Sequence, residues 1–421
     1  MSVGKGAFAA YRLAGSLAAP LAKPYLVRRS RRGKEDPARL HEKLGLAAPE
    51  RTDGPIWVHA ISVGESVAAL ALSERLIAAG HPVVLTTGTP ASAERVAASP
   101  VPVIHRYAPL DAVPFVARFL DAAAPSAALF VEAEVWPATL HILAERAIPR
   151  AHVSARISER SFRRWSRRPS LAASLFGLIP LALAQSEADA ERFAALGVPR
   201  TMATGNLKFD APPPAVDDAA LTTLAGALGE RPRWLAASLH PGEEAAVIAA
   251  HRALSKTYGG LVTLAAPRHA ETGRRLLAAA NEASIPTAVR SAGEAPAPGI
   301  YVVDTMGELG TMFRLSPVTF LGGSLVPLGG HNPAEPAALG SAILTGPSVG
   351  PMFTPFLHAE AARVVADADA LQNSVAMLLS DGLRAGEMAK RAQSVLEEER
   401  GALDRTLDAL GPVLPRRREP A

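Results

Sequence analysis

From residue 56 onward the chain alternates short apolar runs with stretches whose apolar residues recur at helical spacing. The runs Ile56–Val58, Val83–Thr86, Ala128–Val131, Arg150–Val153 and Leu181–Ala184 read as buried strands. Between them, Glu65–Ala79, Ala91–Ala97, Val113–Ala123 and Pro137–Arg146 read as helices. Such alternation predicts parallel βαβ units in a doubly wound sheet. The segment Asp210–Asp218, with Pro212-Pro213-Pro214, breaks the pattern and reads as a linker. A second series of strands follows at Trp234–Ala237, Leu261–Ala265, Thr287–Val289, Ile300–Val303, Val318–Leu321 and Ala342–Leu344. The pattern predicts an α/β protein of two Rossmann-like halves facing across a cleft, with ligands at the carboxyl ends of the strands. No repeat of fixed period is present, and Val413–Ala421, with Pro415-Arg416-Arg417-Arg418, reads as a disordered tail.

The first 34 residues differ from the rest. They hold Lys5, Arg12, Lys23, Arg28, Arg29, Arg31, Arg32 and Lys34 without one acid, while the whole chain carries only +4. The basicity is local, which argues against general nucleic-acid binding. Residues 7–27 are mostly small and apolar but are interrupted by Arg12, Pro20, Lys23 and Pro24. A spanning helix wants about 20 uninterrupted apolar residues. The cations follow the apolar part and no clear cleavage site comes after them, unlike a secretory signal. An interfacial anchor held to anionic lipid fits this order of features; the alternative is a surface helix with a solvated charge run. At 421 residues, two domains of roughly 150–200 residues each are expected. The chain has no cysteine, which excludes disulfides, zinc–thiolate sites and a cysteine nucleophile.

Candidate chemistry sits where strands give way to helices. In Trp57-Val58-His59-Ala60-Ile61-Ser62-Val63-Gly64-Glu65, the carboxylate of Glu65 stands at a helix start beyond the first strand. It suits a general base, or equally a first-turn acid favoured by the helix dipole. Phe130-Val131-Glu132-Ala133-Glu134 places two more acids after a strand, Glu132 nearer to it, for a site or for helix capping. Lys208, in Gly205-Asn206-Leu207-Lys208-Phe209-Asp210, can stabilise developing negative charge or be a surface lysine. In the second half, Ala236–Glu244, Pro267-Arg268-His269 and Asp304-Thr305-Met306-Gly307-Glu308 follow strands. Arg268 suits a phosphate. The loop Gly322-Gly323-Ser324-Leu325-Val326-Pro327-Leu328-Gly329-Gly330-His331-Asn332-Pro333-Ala334-Glu335-Pro336 lies between a strand and a helix start. That layout points backbone N–H groups at a phosphate or sugar hydroxyl. Each of these is also consistent with a plain strand-to-helix turn; together they converge on one nucleotide. Arg156–Arg168 holds six arginines around Phe162 and Trp165, a pattern for stacking on bases, for a lipid headgroup boundary, or for a solvated face.

Taken in order, WVHAISVGE, VEAEVWP, ARISERS, GNLKFD, AASLHPGEE, PRH, DTMGEL and GGSLVPLGGHNPAEP resemble the 3-deoxy-D-manno-octulosonic acid (Kdo) transferase family of lipopolysaccharide synthesis, from about residue 10 to 400. The resemblance implies a GT-B glycosyltransferase fold and inverting transfer of Kdo from CMP-Kdo to a lipid A precursor, with no metal and no cofactor beyond the donor. It implies Glu65 as proton acceptor and Glu132 and Lys208 as transition-state stabilisers. CMP contacts would fall on Pro267, Arg268, Met306, Gly307, Glu308, Asn332, Pro333, Ala334 and Glu335, with Ala334 standing where the family often has leucine. The expected organisation is a membrane-associating helix within 1–45, an acceptor domain over 46–209, a linker over 210–232, a CMP-sugar domain over 233–410 and a tail over 411–421. The expected location is the cytoplasmic face of the inner membrane, on an anionic lipid surface. Two alternatives stay open here: a GT-B enzyme acting on a UDP-sugar, as transferase or epimerase, and a non-catalytic membrane-surface scaffold.

Overall fold

The computed structural model describes residues 2–46, 54–132 and 135–415. The chain divides into two compact units, Met1–Ala211 with Glu399–Ala421, and Pro212–Glu398.

The first unit is built on seven parallel strands: β1 (Ile56–His59), β2 (Val83–Thr87), β3 (Ile104–Tyr107), β4 (Ala127–Val131), β5 (Arg150–Ala155), β6 (Ala182–Ala184) and β7 (Thr201–Ala203). Their order is β3-β2-β1-β4-β5-β6-β7, so the winding reverses between β1 and β4. Alternate residues of β1 feed opposite faces of the sheet. Ile56 and Val58 join one buried cluster and Trp57 the other. The second unit repeats the plan with β8 (Arg233–Leu239), β9 (Val262–Pro267), β10 (Thr287–Val289), β11 (Gly299–Val302), β12 (Val318–Leu321), β13 (Ala342–Thr345) and β14 (Ala362–Val364). The order here is β10-β11-β9-β8-β12-β13-β14, and the reversal falls between β8 and β12. Open α/β sheets bind ligands at such switch points, outside the carboxyl ends of the strands.

Strands β3, β7 and β14 were not expected from the apolar pattern. All three lie at sheet edges. An edge strand is only partly covered, so it needs no continuous apolar run; β3 reads Ile-His-Arg-Tyr. The expected linker over 210–232 contains a helix, Asp218–Leu228, whose N-cap Asp217 accepts from the N–H groups of Ala219 and Ala220 at 3.0 Å. The helix Ala402–Leu410, expected in the second half, belongs to the first unit and buries Ala402, Leu403 and Leu410 in the same cluster as Ile56 and Val58. Val413 and Leu414 pack against that cluster too, so the expected tail begins as structured chain; residues 416–421 lie outside the described residues.

At the other terminus, helices Ser2–Ala18 and Ala22–Ser30 are joined by a 3-10 turn, Ala19–Leu21, that contains Pro20. One side docks on the first unit. The Tyr11 hydroxyl donates to Asp111 Oδ2 at 2.8 Å, and Ala22 and Leu26 are buried. Leu13, Leu17, Leu21 and Tyr25, spaced by four, are 62, 71, 68 and 54% exposed. Among the described residues no helix is long and apolar enough to cross a membrane.

Candidate active site

The switch point of the first unit gathers three of the expected residues. Glu65 follows β1, in the first turn of the helix Val63–Ala78. Ser62 caps that helix, its hydroxyl oxygen accepting from the Glu65 N–H at 3.3 Å. The Ser62 hydroxyl in turn donates to Glu65 Oε1 at 2.8 Å, and the Ile61 N–H donates to Oε2 at 2.7 Å. These bonds tie the carboxylate to the helix start, so the reading of Glu65 as a first-turn acid holds as well. The same bonds fix the carboxylate at the carboxyl end of β1, and each oxygen keeps a lone pair for a further proton donor.

Glu132 follows β4 with φ of +62°, a left-handed conformation that a non-glycine residue adopts at a cost of roughly 1–3 kcal/mol. Its N–H still donates to Val153 O at 3.0 Å, so the sheet holds the backbone while the side chain is turned out of register. Its carboxylate is ion-paired with Lys208 Nζ. Glu134, the other acid of that loop, lies outside the described residues.

Lys208 is held by its own motif. The Asn206 side chain accepts from the Lys208 N–H at 3.0 Å and caps the short 3-10 helix Leu207–Phe209, while Leu207 and Phe209 are buried. Asp210 accepts from Gly401 and Leu403 N–H at 2.7 and 2.6 Å, tying the motif to the helix Ala402–Leu410. A Cβ on Gly64 would stand 3.6 Å from Lys208 Nζ. That glycine therefore keeps the lysine's end of the ion pair one residue from Glu65.

Beside these residues the same unit encloses a cavity of about 300 Å³ whose lining includes Trp57, His59, Ile61, Phe130, Trp136 and Tyr25. Arg29 and Lys43 also reach it, both paired with the buried Glu35 at 2.6 and 2.7 Å. His59 Nδ1 meets Thr86 Oγ1 at 2.8 Å, and burial, aided by His152, drives its pKa down to about 3.

The switch point of the second unit carries the glycine-rich loop after β12, and here the structure corrects the sequence reading. Its amides do not wait for a ligand. Gly323, Ser324 and Leu325 donate to the carboxylate of Glu243 at 2.7, 3.1 and 3.0 Å, and His240 N–H adds a fourth bond at 2.9 Å. Glu243 is fully buried. Gly322 N–H donates to Ala237 O, Gly329 to Ser348 Oγ and Gly330 to Gly323 O. Glycine is required where that carboxylate sits, since a Cβ on Gly322 would lie 2.8 Å from Glu243 Oε2 and 2.7 Å from Ser238 O. The helix after the loop, Ala334–Ala338, is five residues long. Asn332 Oδ1 takes the Ala334 N–H at 3.0 Å, and its Nδ2 donates to Glu335 Oε1 at 3.4 Å.

Side chains gather beside the loop at this switch point. His240 and His331 bring their Nε2 atoms to 2.9 Å with rings nearly parallel, and the ring of His269 stands 5.7 Å from His240. Arg268 follows Pro267 at the end of β9, its N–H donating to Leu239 O at 2.9 Å. Glu308 is held by Arg290 at 2.7 Å and by the Thr305 hydroxyl; the bonds to Arg290 lead in lowering its pKa. Gly307 turns with φ of +85° and Met306 is 86% exposed. Pro333 and Ala334 are buried beside Asn332. Sequence reasoning placed the loops and missed Glu243, whose signal was an acid three residues past the His of a strand-end turn. In the segment 156–168 the aromatics turn inward: Phe162 and Trp165 pack on the core, Trp165 edge-on to Phe176 at 5.4 Å.

Two doubly wound parallel sheets with polar residues at both switch points define the GT-B fold. A solved glycosyltransferase of Rickettsia africae shares this fold, with a TM-score of 0.61 and 11% identity over 87% of this chain and 100% of that one. The family described as 3-deoxy-D-manno-octulosonic-acid transferase (kdotransferase) matches residues 38–211. The 3-deoxy-D-manno-octulosonic acid transferase of Haemophilus influenzae is 35% identical over 90% of this chain and 92% of its own length. That of Bordetella pertussis is 34% identical over 95% and 98%. The chain belongs to the 3-deoxy-D-manno-octulosonic acid transferase family.

Proposed function

We propose that the enzyme transfers Kdo from CMP-Kdo to a lipid A precursor with inversion, in lipopolysaccharide synthesis. The observation that carries the catalytic assignment is the meeting of Glu65, Glu132 and Lys208 at the β1–β4 switch point. Glu65 takes the proton of the acceptor hydroxyl as its oxygen bonds to the anomeric carbon. The bond from that carbon to the phosphate oxygen breaks, and its electron pair leaves with CMP. Lys208, oriented by Glu132, offsets negative charge on the reacting groups. The donor side is assigned to the second unit, through Arg268 and the segments 306–308 and 332–335. The aromatic cavity beside β1 and β4 suits the acceptor, because flat apolar rings pack on sugar faces and acyl chains.

The acceptor is a glycolipid, so the enzyme works at a bilayer, assigned here to the cytoplasmic face of the inner membrane. The stripe Leu13–Leu17–Leu21–Tyr25 with exposed Arg28, Arg31 and Arg32 supports this, apolar contact and cation attraction acting together. Arg29 contributes less, because it is committed to Glu35. Incubating CMP-Kdo with the enzyme and a lipid A precursor, beside a Glu65→Gln variant, tests the assignment. Loss of the Kdo-bearing product in the variant alone supports it, and equal yields would remove Glu65 from the mechanism.

A further inference from the structure

The glycine-rich loop has spent its glycine amides on the protein itself, on Glu243, Ser348 and backbone carbonyls. An anionic ligand at this switch point must find its counter-charge elsewhere. We infer that His240, His269 and His331, with Arg268, form the oxyanion-recognition element of the second unit and grip the phosphate or the carboxylate of the sugar nucleotide. This rests on the reading of that unit as the donor side.

The geometry favours an anion. Two Nε2 atoms at 2.9 Å share one proton, so one ring donates and the other accepts. No group among the described residues takes up either Nδ1. In the neutral pair one Nδ1 is a donor and the other a bare lone pair. Adding a proton to that lone pair gives a cationic pair with two outward donors. Arg268 beside the pair disfavours a bound cation and adds a permanent positive charge for an anion. The loop holds the arrangement close: a Cβ on Gly323, itself at φ of +68°, would stand 3.3 Å from both imidazoles.

The charged and titratable groups around the pair are Arg268, His269 and Glu243, and the four amides on Glu243 hold it in place. Burial first, then His240, Arg268 and His269, drive the pKa of His331 down to about 4. Burial also leads in lowering that of His240, with Glu243 opposing. The pair of His240 and His331 is therefore neutral at physiological pH, beside the charged Arg268. An anion restores the missing proton, so binding takes up a proton. Affinity then rises as pH falls through the bound-state value and levels off below the free value.

Calorimetry on the full chain tests this with cytidine, CMP and CMP-Kdo as probes, at pH 7.5 in two buffers of different ionisation enthalpy. The parent is compared with a His240→Gln/His331→Gln double variant, and cytidine affinity reports that the variant's site is folded. If the phosphate is gripped, the preference for CMP over cytidine falls roughly 10- to 100-fold in the variant. If the carboxylate is gripped, the preference for CMP-Kdo over CMP falls instead. In either case the proton uptake seen with the parent disappears. Unchanged preferences and unchanged proton uptake in a variant that still binds cytidine would overturn the inference. A parent that binds none of the three probes would overturn the donor assignment itself, and this inference with it.

Discussion

Glu243→Gln probes the second unit where it is most committed. The native carboxylate accepts four backbone N–H groups, from His240 and Gly323 at Oε2 and from Ser324 and Leu325 at Oε1. Glutamine keeps the shape, but its amide nitrogen must face one of those two pairs. Two bonds to a charged acceptor are lost, at about 1.5–3 kcal/mol each, so the cost is roughly 3–6 kcal/mol. In a unit of this size 1 kcal/mol moves the melting point by about 2–4 °C, so its transition should fall by roughly 6–24 °C. Differential scanning calorimetry reads this directly, with Glu230→Gln, an exposed side chain, as a control expected to move within about 0.5 kcal/mol. CMP affinity should fall in parallel, because the stapled loop leads into His331 and Asn332. A shift under about 2 °C for Glu243→Gln would refute the claim that this carboxylate holds the loop.

Three further outcomes are expected. Glu65→Gln should retain folding and CMP-Kdo binding while losing turnover by roughly 10²- to 10⁴-fold, read by steady-state kinetics. Changing Arg28, Arg31 and Arg32 to Ser should weaken sedimentation with anionic liposomes and reduce its salt dependence, and Leu17→Ser with Leu21→Ser should weaken it on neutral liposomes as well. His59 and His251 are buried and His105 is half-buried, with pKa values lowered chiefly by burial to about 3, 4 and 4 for His59, His105 and His251. Unfolding lets them bind protons that the native state refuses, so stability is full above about pH 6.5 and falls as pH drops toward those values. Denaturant midpoints between pH 7.5 and 5 check this, and a flat profile would contradict it.

The central strands were legible because each is buried on both faces and must read as an apolar run, as Ile56–Val58 and Val318–Leu321 do. Edge strands β3, β7 and β14 were not, since half-covered backbone accepts residues such as His105 and Arg106. The return of the Ala402–Leu410 helix to the first unit depends on Asp210 capturing Gly401 and Leu403 from 191 and 193 residues away, a pairing that no local pattern encodes. Glu65 and Glu132 were legible as strand-end acids and Lys208 as a lysine beside the proline-rich linker, although the helix-start bonds at Glu65 could equally have been its whole purpose. The glycine-rich loop was found for a sound reason and misread in detail. Glycines do permit close approach of an anion to the backbone there, and the anion in place is the protein's own Glu243. The histidine pair escaped notice because His240 and His331 are 91 residues apart and meet only across the β8–β12 switch point.

Kdo transfer by this chain leaves two measurable products, a heavier lipid and free CMP. Purified full-length enzyme incubated with CMP-Kdo and a lipid A precursor in mixed micelles, followed by mass spectrometry of the lipid and quantification of CMP, tests it most directly. The expected product is a lipid heavier by one or more Kdo residues, with one CMP released for each residue transferred and neither change when UDP-sugars replace CMP-Kdo. An unmodified lipid with the donor intact, under conditions where the enzyme is folded and binds CMP, would contradict it.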